Sequence, residues 1–193
     1  MGSNQSKDVK FIVGKYVYLR PIAKSDIHKG WLKWINDPDL RTNLFGVFPV
    51  TEKDLKNYFN AQKLPESAMF AICIKKNNKY IGNIRLSSID FVNKSCTFGR
   101  LIGDKNSRGK GYGSEALILV LRYAFETLGM NRVYSAIAKE NNASFKSNIK
   151  VGMKKEGLLK EALFKNGKFI DEIIFSILSK DFFKKYKKKK LYF

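Results

Sequence analysis

The chain has 193 residues, of which 44% are hydrophobic and 13% are aromatic. This length and composition predict one globular domain with an apolar core and argue against a disordered chain. Because no hydrophobic run approaches the roughly 18 residues of a membrane-spanning helix, we expect no membrane span. The sequence shows no zinc-ligand spacing and no helix-turn-helix signature, so it predicts no metal site and no clear nucleic-acid role.

The formal net charge of +20 fits three kinds of partner: a nucleic acid, a membrane surface or an anionic small molecule. Lysines are scattered along the chain, and the one true cluster lies near the C-terminus, where it is typical of a solvated terminus. We therefore predict a flexible N-terminal segment over residues 1–14, a domain over residues 15–180 and a lysine-rich tail over residues 181–193.

The two cysteines, Cys73 and Cys96, lie in apolar, strand-like runs, and the single histidine, His28, is in the polar N-terminal region. A catalytic thiol needs a neighbouring base, so we interpret both cysteines as buried structural residues. Thiols of this kind fit a reducing compartment, and we expect a cytoplasmic protein.

The first sixty residues are predicted to be mostly helical. Residues 17–21 form a first strand that ends at a proline. Three helices follow: one over residues 25–34, a short one capped by Asp37, and a third for which Thr51 and Asp54 form a capping box.

From residue 68 onward the pattern changes to strands. Residues 69–74 and 80–86 flank a Lys-Asn-Asn-Lys turn and predict a hairpin, and residues 96–102 predict another strand. Apolar residues at helical spacing over 117–128 then predict a helix, which Gly129 ends.

The last third of the chain predicts a strand over residues 132–137 and a helix over residues 142–151. Residues 158–164 and 169–178 predict a final hairpin joined by the turn pair at 166–167. Together the elements predict the α+β class, with helices packed on a largely antiparallel sheet.

A glycine-rich stretch, Arg108-Gly109-Lys110-Gly111-Tyr112-Gly113, lies between a predicted strand and a predicted helix that opens at Ser114. Alternate glycines bare the backbone, and the free N–H groups of a helix start can converge on an anion. The Gly-x-Gly-x-Gly spacing matches neither a P-loop nor the dinucleotide-binding fingerprint. We interpret the stretch as a phosphate cradle, the alternative being a surface turn that caps a helix.

The order of these motifs resembles the GCN5-related N-acetyltransferase (GNAT) family. Arg108-x-x-Gly111-x-Gly113 matches the family's acetyl-CoA loop, Asn141-Asn142-Ala143-Ser144 its next helix start, and residues 152–157 its closing segment. The resemblance extends from about Lys15 to Leu178. It is strongest to the branch of ribosomal-protein alanine, spermidine and amino-sugar acetyltransferases. It implies a mostly antiparallel central sheet that is splayed at the acetyl-CoA site and carries helices on both faces.

The resemblance also implies which residues bind acetyl-CoA. The pantetheine arm would pair with the exposed backbone of one strand end, the pyrophosphate would sit on the glycine loop, and Lys105 would add charge. The implied cofactor-binding residues are Leu101, Ile102, Gly103, Arg108, Gly109, Lys110, Gly111, Tyr112, Gly113, Ser114 and Asn141.

Two candidate catalytic positions depart from the family pattern. Many members carry a tyrosine four residues after the Asn-x-x-Ser serine, where this chain has Asn148, and Thr97 stands where relatives often have a glutamate. Neither residue is an ordinary proton donor or acceptor. We expect catalysis by proximity and backbone polarisation with water-mediated proton transfer. The alternative is an acid and base from elsewhere, with Asp90 and Asp171 as candidates that otherwise read as a turn acid and a lysine partner.

For the acceptor, the resemblance implies a pocket between the N-terminal helices and the last hairpin. Trp34, Asn36 and Asp37 are the predicted contacts, together with Asp90, and Trp31 can share a helix face with Trp34. The alternatives are core packing for the tryptophans and helix capping for Asn36 and Asp37.

The reaction that we expect is acetyl transfer from acetyl-CoA to a primary amine. A nucleotide-linked amino sugar is the preferred acceptor, followed by the N-terminus of a ribosomal protein and then by a polyamine or an aminoglycoside. A polycation fits poorly, because the chain has 17 acidic against 37 basic residues. A non-catalytic acyl-CoA-binding protein is the alternative from another class, and the sequence leaves both a monomer and a homodimer open.

Overall fold

An eight-stranded sheet forms the centre of the molecule. The computed structural model describes residues 9–42, 44, 48–62 and 65–187. The strands are β1 (Ile12–Val13), β2 (Val17–Pro21), β3 (Ala68–Ile74), β4 (Tyr80–Asp90), β5 (Ser95–Ile102), β6 (Arg132–Ala138), β7 (Lys154–Lys165) and β8 (Lys168–Leu178). Their order is β1-β2-β3-β4-β5-β6-β8-β7, and neighbours are antiparallel except β5 and β6. The prediction of an α+β fold with a mostly antiparallel sheet is confirmed.

Within the described ranges, six α-helices accompany the sheet. They are α1 (Trp31–Asn36), α2 (Pro38–Arg41), α3 (Glu52–Ala61), α4 (Tyr112–Arg122), α5 (Asn142–Val151) and α6 (Ser179–Lys185). A π-helical turn over Tyr123–Thr127 continues α4. None of the helices in the described part of the chain is long and apolar enough to cross a membrane.

The caps that the sequence predicted define several of these helices and turns. The Asp37 carboxylate accepts from the backbone N–H of Asp39 at 3.0 Å and starts α2. Thr51 and Asp54 form the predicted capping box of α3. Asn166 and Gly167 both have positive φ, 50° and 78°, as the tight turn between β7 and β8 requires.

The helix predicted over residues 25–34 is split in two, which corrects the sequence-based assignment. A 3₁₀ turn covers Lys24–Ile27, and α1 starts only at Trp31. Gly30 lies between them at a φ of 143°, and a Cβ there would approach Trp34 Cζ2 to 2.6 Å. The Trp34 ring therefore packs on the bare backbone of Gly30, where the chain must bend.

The two faces of the sheet are covered by different helices, as predicted. Val17 and Leu19 of β2 belong to a core shared with α4, α5 and α6. Tyr18, between them, points to the opposite face and packs toward Trp34 of α1. Leu55 of α3 lies in a third apolar cluster with the other apolar residues of α1, which are Trp31, Leu32 and Ile35. Because strand neighbours alternate between faces, one short strand contributes to both layers.

The parallel pair β5 and β6 separates after three residues. Ser95–Thr97 pair with Arg132–Tyr134, and no pairing joins the two strands beyond that point. On their far edges, β5 stays paired with β4 up to Ile102, and β6 with β8 up to Ala138. The facing edges are therefore open, and this gap is the predicted splay of the sheet.

The packed structure extends beyond the predicted domain limits of 15 and 180. Ile12 of β1 is fully buried, and Phe182 of α6 is buried with its ring 5.3 Å from that of Phe125. Lys185, placed in a solvated tail by the sequence, lies in α6 and donates to the carbonyl of Lys150 at 2.6 Å. Residues 1–8 and 188–193, which make up the rest of the two predicted terminal segments, lie outside the described residues.

Candidate active site

The glycine loop forms an open backbone surface at the start of α4. Gly109 and Gly111 have φ values of 74° and 83°, and a Cβ at either position would meet nothing within 4 Å. Gly111 is the N-cap of α4, so the first-turn N–H groups and the positive end of the helix dipole lie beside this open space. A pyrophosphate fits such a site, because it is anionic and accepts several hydrogen bonds.

Arg108 holds this loop against the end of β5. Its Nε donates to the carbonyl of Ile102 at 3.1 Å, and its Nη2 donates to the carbonyl of Gly103 at 2.9 Å. Lys105, predicted to add charge for the cofactor, instead contacts Asp39 at 2.8 Å, and this hydrogen bond raises the lysine's pKa. Arg108 therefore fixes the loop, while the charge of Lys105 is already paired.

The loop lies in a groove of about 480 Å³ that runs between the end of β5 and the start of α5. All the predicted cofactor-binding residues line this groove except Gly103 and Lys110. Gly103 packs behind it, because a Cβ there would lie 1.9 Å from Trp34 Cδ2. The absence of a side chain at Gly103 therefore leaves the room that the Trp34 ring occupies.

The far wall of the groove is the start of α5, which is tied to α4. Asn141 caps α5 by accepting from the N–H of Ser144 at 3.0 Å. The hydroxyls of Ser114 and Ser147 lie 2.8 Å apart and join the two helices. The predicted cofactor-side asparagine is therefore a helix cap at the edge of the splay.

A second cavity, of about 600 Å³, lies on the other side of the splay and opens into the groove. The residues that line both spaces are Leu44, Arg100, Leu101, Asn141 and Ser144. Trp31, Leu55 and Tyr58 of α1 and α3 form one wall of the cavity, and Asn148 of α5 forms part of another. A molecule in this cavity can therefore approach a molecule in the groove beside these shared residues, four of which lie at the splay.

Three buried side chains around the second cavity carry polar atoms without a hydrogen-bond partner in the described structure. The unpaired atoms are the Nδ2 and Oδ1 atoms of Asn148, which is 1% exposed, the Nδ2 atom of Asn83 and the Oγ atom of Ser135. Leaving a buried polar group unpaired costs about 1–3 kcal/mol. Such a cost is typical of a site whose polar groups are completed by a ligand or by water.

Asn83 is oriented by its neighbour Tyr80. The Tyr80 hydroxyl donates to Asn83 Oδ1 at 2.6 Å, and the amide Nδ2 has no hydrogen-bond partner in the described structure. Burial raises the pKa of Tyr80, so its hydroxyl keeps its proton and remains a donor. The orientation of the Asn83 amide is therefore set before any ligand binds.

The cationic group closest to both spaces is Arg100, which sequence reasoning did not identify. Its Nη1 donates to the carbonyl of Gly113 at 2.8 Å. Burial lowers the pKa of Arg100 to about 10, which still leaves the guanidinium positive at neutral pH. The junction of the two spaces is thus electropositive.

Of the four candidate proton donors or acceptors, one lines the second cavity and the other three make local contacts elsewhere. Asn148 lines the second cavity, but Thr97 lines neither space and donates to the carbonyl of Ser87 at 3.0 Å. Asp90 accepts from the N–H groups of its own turn, and the hydrogen bond from Asn93 holds its pKa below the ordinary value. Asp171 contacts Lys139 at 2.8 Å. Both aspartates therefore have the turn and lysine-partner roles that were the alternatives.

None of the predicted acceptor contacts, Trp34, Asn36, Asp37 and Asp90, is among the residues that line the cavity. Trp34 packs against Tyr80 with ring centroids 4.9 Å apart. The Asn36 amide joins α1 to Val50, donating to its carbonyl at 2.8 Å and accepting from its N–H at 2.9 Å. Asp37 caps α2, and Trp31 is the tryptophan that lines the cavity.

Sequence reasoning missed the polar residues that do line the cavity, chiefly Tyr58, Asn83, Arg85 and Ser135. One signal was present. Asn83, Arg85 and Ser87 are polar residues at alternate positions of an otherwise apolar strand. Alternate residues share one face of a strand, so the pattern indicates a polar strip on a buried sheet face.

Comparison with known proteins agrees with this geometry. Residues 17–154 match the family model described as an acetyltransferase (GNAT) domain. The N-acetyltransferase p20 of Bacillus licheniformis is 30% identical over 152 residues, which cover 76% of this chain and 84% of the relative. The putative ribosomal N-acetyltransferase YdaF of Bacillus subtilis is 33% identical over 100 residues, which cover 52% of this chain and 54% of the relative.

The fold is shared with solved structures. The crystal structure of spermidine N-acetyltransferase from Vibrio cholerae in complex with CoA and spermine has a TM-score of 0.81 at 22% identity. The match covers 88% of this chain and 99% of that structure. With the matched domain and the splayed sheet in agreement, the chain belongs to the GNAT family of acetyl-CoA-dependent N-acetyltransferases.

Proposed function

We propose that this enzyme acetylates the primary amine of a small molecule that binds in the second cavity. The observation that carries the proposal is the meeting of the two spaces at the splay, where Arg100, Leu101 and Asn141 line both. An acyl donor in the groove and an amine in the cavity would be held within reach of each other there. Such positioning supplies much of the rate acceleration in bimolecular transfer.

The donor side of the site is suited to coenzyme A. Bound acetyl-CoA supplies the acetyl group as an activated thioester. The bare backbone at Gly109 and Gly111 leaves room for the pyrophosphate at the start of α4. The open edge of β5 beyond Thr97 offers backbone groups to the amides of the pantetheine arm.

The residues at the splay would assist proton movement without an ordinary acid or base. The acceptor amine must be neutral to attack, and a free alkyl amine with a pKa near 10 is mostly protonated at neutral pH. The unpaired polar atoms of Asn83, Ser135 and Asn148 can hold water that carries the amine proton away. The Asn148 amide can also donate a hydrogen bond to the departing sulfur, although it cannot protonate it.

Among acceptors, we prefer an amino sugar that carries a nucleotide. The cavity combines apolar walls with Arg85 and Arg100, while Asp54 is the one carboxylate among the described lining residues. This balance favours an anionic acceptor over a polyamine, whose charges need several carboxylates. The likeness to YdaF favours a second candidate, the N-terminus of a ribosomal protein. The cytoplasmic location that the cysteines predict is part of the same proposal.

Release of free CoA thiol tests the proposal. The purified protein with acetyl-CoA would be assayed against amino-sugar nucleotides, N-terminal peptides, polyamines and aminoglycosides. We expect acceptor-dependent thiol release, and mass spectrometry of the product would locate the acetyl group on nitrogen. Measurable CoA binding without thiol release from any acceptor would instead support the non-catalytic acyl-CoA-binding alternative.

A further inference from the structure

We infer that the acceptor carries an anionic group, a carboxylate or a phosphate, which Arg85 and Tyr58 bind. The inference rests on the proposed function, because it assigns the second cavity to the acceptor. It adds two specificity-determining residues and a chemical requirement on the acceptor that is separate from its amine.

Arg85 is held in the cavity by the two strands beneath it. It lies in the middle of β4, between the fully buried Ile84 and Leu86, and pairs across the sheet with Gly99 of β5. A Cβ on Gly99 would lie 3.5 Å from Arg85 Nε. The arginine side chain therefore crosses the bare backbone of Gly99, and both residues line the cavity.

Tyr58 of α3 positions the guanidinium from the opposite side. Arg85 Nη1 donates to the Tyr58 hydroxyl oxygen, and the guanidinium carbon lies 5.6 Å from the centre of the tyrosine ring. Within the described part of the chain this is the one hydrogen bond of the guanidinium, and no carboxylate lies within ion-pair distance of it. An arginine has five N–H donors, so most of them are available to a ligand.

The tyrosine hydroxyl provides a further donor. Burial raises the pKa of Tyr58, so the phenol stays protonated. Because its oxygen already accepts from Arg85, its hydrogen is available for another partner. The N–H groups of the planar Arg85 guanidinium and the adjacent Tyr58 O–H can together donate hydrogen bonds to the oxygens of a carboxylate or a phosphate.

The charge of the cavity supports the same assignment. Asp54, the one carboxylate among the described lining residues, accepts from the Thr51 N–H at 2.8 Å and from its hydroxyl at 2.6 Å. With Arg85 and Arg100 also present, the cavity has an excess of positive charge. A cation beside apolar walls is poorly hydrated, so an anionic group on the substrate would stabilise it by pairing with it.

The position of Arg85 also sets where the anionic group lies. Gly99, its cross-strand partner, is two residues from Leu101 at the junction of the two spaces. Two residues of extended strand span about 7 Å. The anionic group would therefore be several ångströms from the amine, as in an amino-sugar phosphate or an ω-amino acid.

Matched pairs of amines test this requirement. One pair is glucosamine 6-phosphate with glucosamine, and the other is 6-aminohexanoate with hexylamine, so the pairs separate phosphate from carboxylate recognition. Calorimetric titration of the CoA-loaded protein measures binding whether or not turnover follows, and thiol release gives kcat/KM. We expect the anionic member of at least one pair to bind about 10- to 100-fold more tightly.

The variants locate this preference at Arg85. Arg85→Gln should remove it by weakening binding of the anionic member alone, and Arg85→Lys should retain part of it. Tyr58→Phe keeps the ring and should lose a smaller part. Lys76→Gln, which removes one charge from an exposed turn outside both spaces, should change nothing. Unchanged CoA affinity in each variant would show that the groove remains folded.

The two possible failures are distinguishable. Equal affinity for both members of each pair, or an anion preference that survives Arg85→Gln, overturns the inference even if acetyl transfer occurs. A preference that depends on Arg85 but comes without thiol release from any amine counts against the proposed function and leaves Arg85 as an anion-binding residue.

Discussion

Replacing Gly111 by valine tests the phosphate cradle most directly. Gly111 has a φ of 83°, and the space where its Cβ would stand is open within 4 Å. We expect Gly111→Val to abolish CoA binding, because the side chain would occupy the position where the backbone approaches the pyrophosphate.

The expected magnitude follows from two separate effects. A β-branched residue at a left-handed φ strains the folded backbone by about 1–3 kcal/mol. The second effect acts on the ligand alone. Loss of two hydrogen bonds from the start of α4 to a charged pyrophosphate would cost about 3–6 kcal/mol, which is at least about a 100-fold increase in Kd.

Gly129 offers a matched control for the strain. It has a φ of 67°, also meets nothing within 4 Å, and lines neither the groove nor the cavity. Gly129→Val should lower the Tm about as much as Gly111→Val while leaving CoA affinity unchanged. Calorimetric titration with CoA and thermal unfolding of both variants provide the comparison. Equal CoA affinity in the two variants would refute the assignment of the loop as the pyrophosphate site.

Two further predictions concern proton transfer and pH. Asn148→Tyr should raise kcat for thiol release if sulfur protonation limits the rate, whereas Asn148→Phe, of similar size, should not; equal kcat values with intact CoA affinity would place the proton source elsewhere. Hydrogen bonding from Arg132 lowers the pKa of Glu156 from 4.5 to about 2, so this pair stabilises the fold above pH 4.5 and progressively less toward pH 2. Glu156→Gln should therefore flatten the fall in the free energy of unfolding over that range, by no more than about 1 kcal/mol for so exposed a pair, as denaturant titrations at each pH would measure; an unchanged pH profile would contradict the shift.

Much of the fold could be predicted because its signals are local. Asp37 and the Thr51–Asp54 pair start helices through hydrogen bonds that span three residues or fewer. The Asn166–Gly167 turn needs only its own two backbone conformations. The helix assigned to residues 25–34 was wrong because the break at Gly30 depends on where the Trp34 ring packs, which is a property of the folded chain.

The groove and the cavity also differ in how much of each could be predicted from the sequence. The groove is built largely from the loop at residues 107–114 and the start of α5, so a short motif predicts most of its lining. The cavity takes Trp31, Tyr58, Arg85 and Ser135 from four different elements. Whether a polar residue on such an element points into a cavity depends on strand register and helix rotation, which no short motif records.

The groove and the cavity are lined by largely different residues. A substitution at Arg85 would change the charge of the cavity, and one at Tyr58 would change its hydrogen-bonding groups, without altering the loop proposed to hold the donor, because neither residue lines the groove. Proteins with the same sheet and the same donor site can therefore differ in the amine that they accept. The Vibrio cholerae spermidine N-acetyltransferase structure shares this fold at 22% identity, too little to transfer a cavity lining residue by residue. The acceptor of this enzyme has to be inferred from the side chains of its own cavity, and those favour an anion beside the amine.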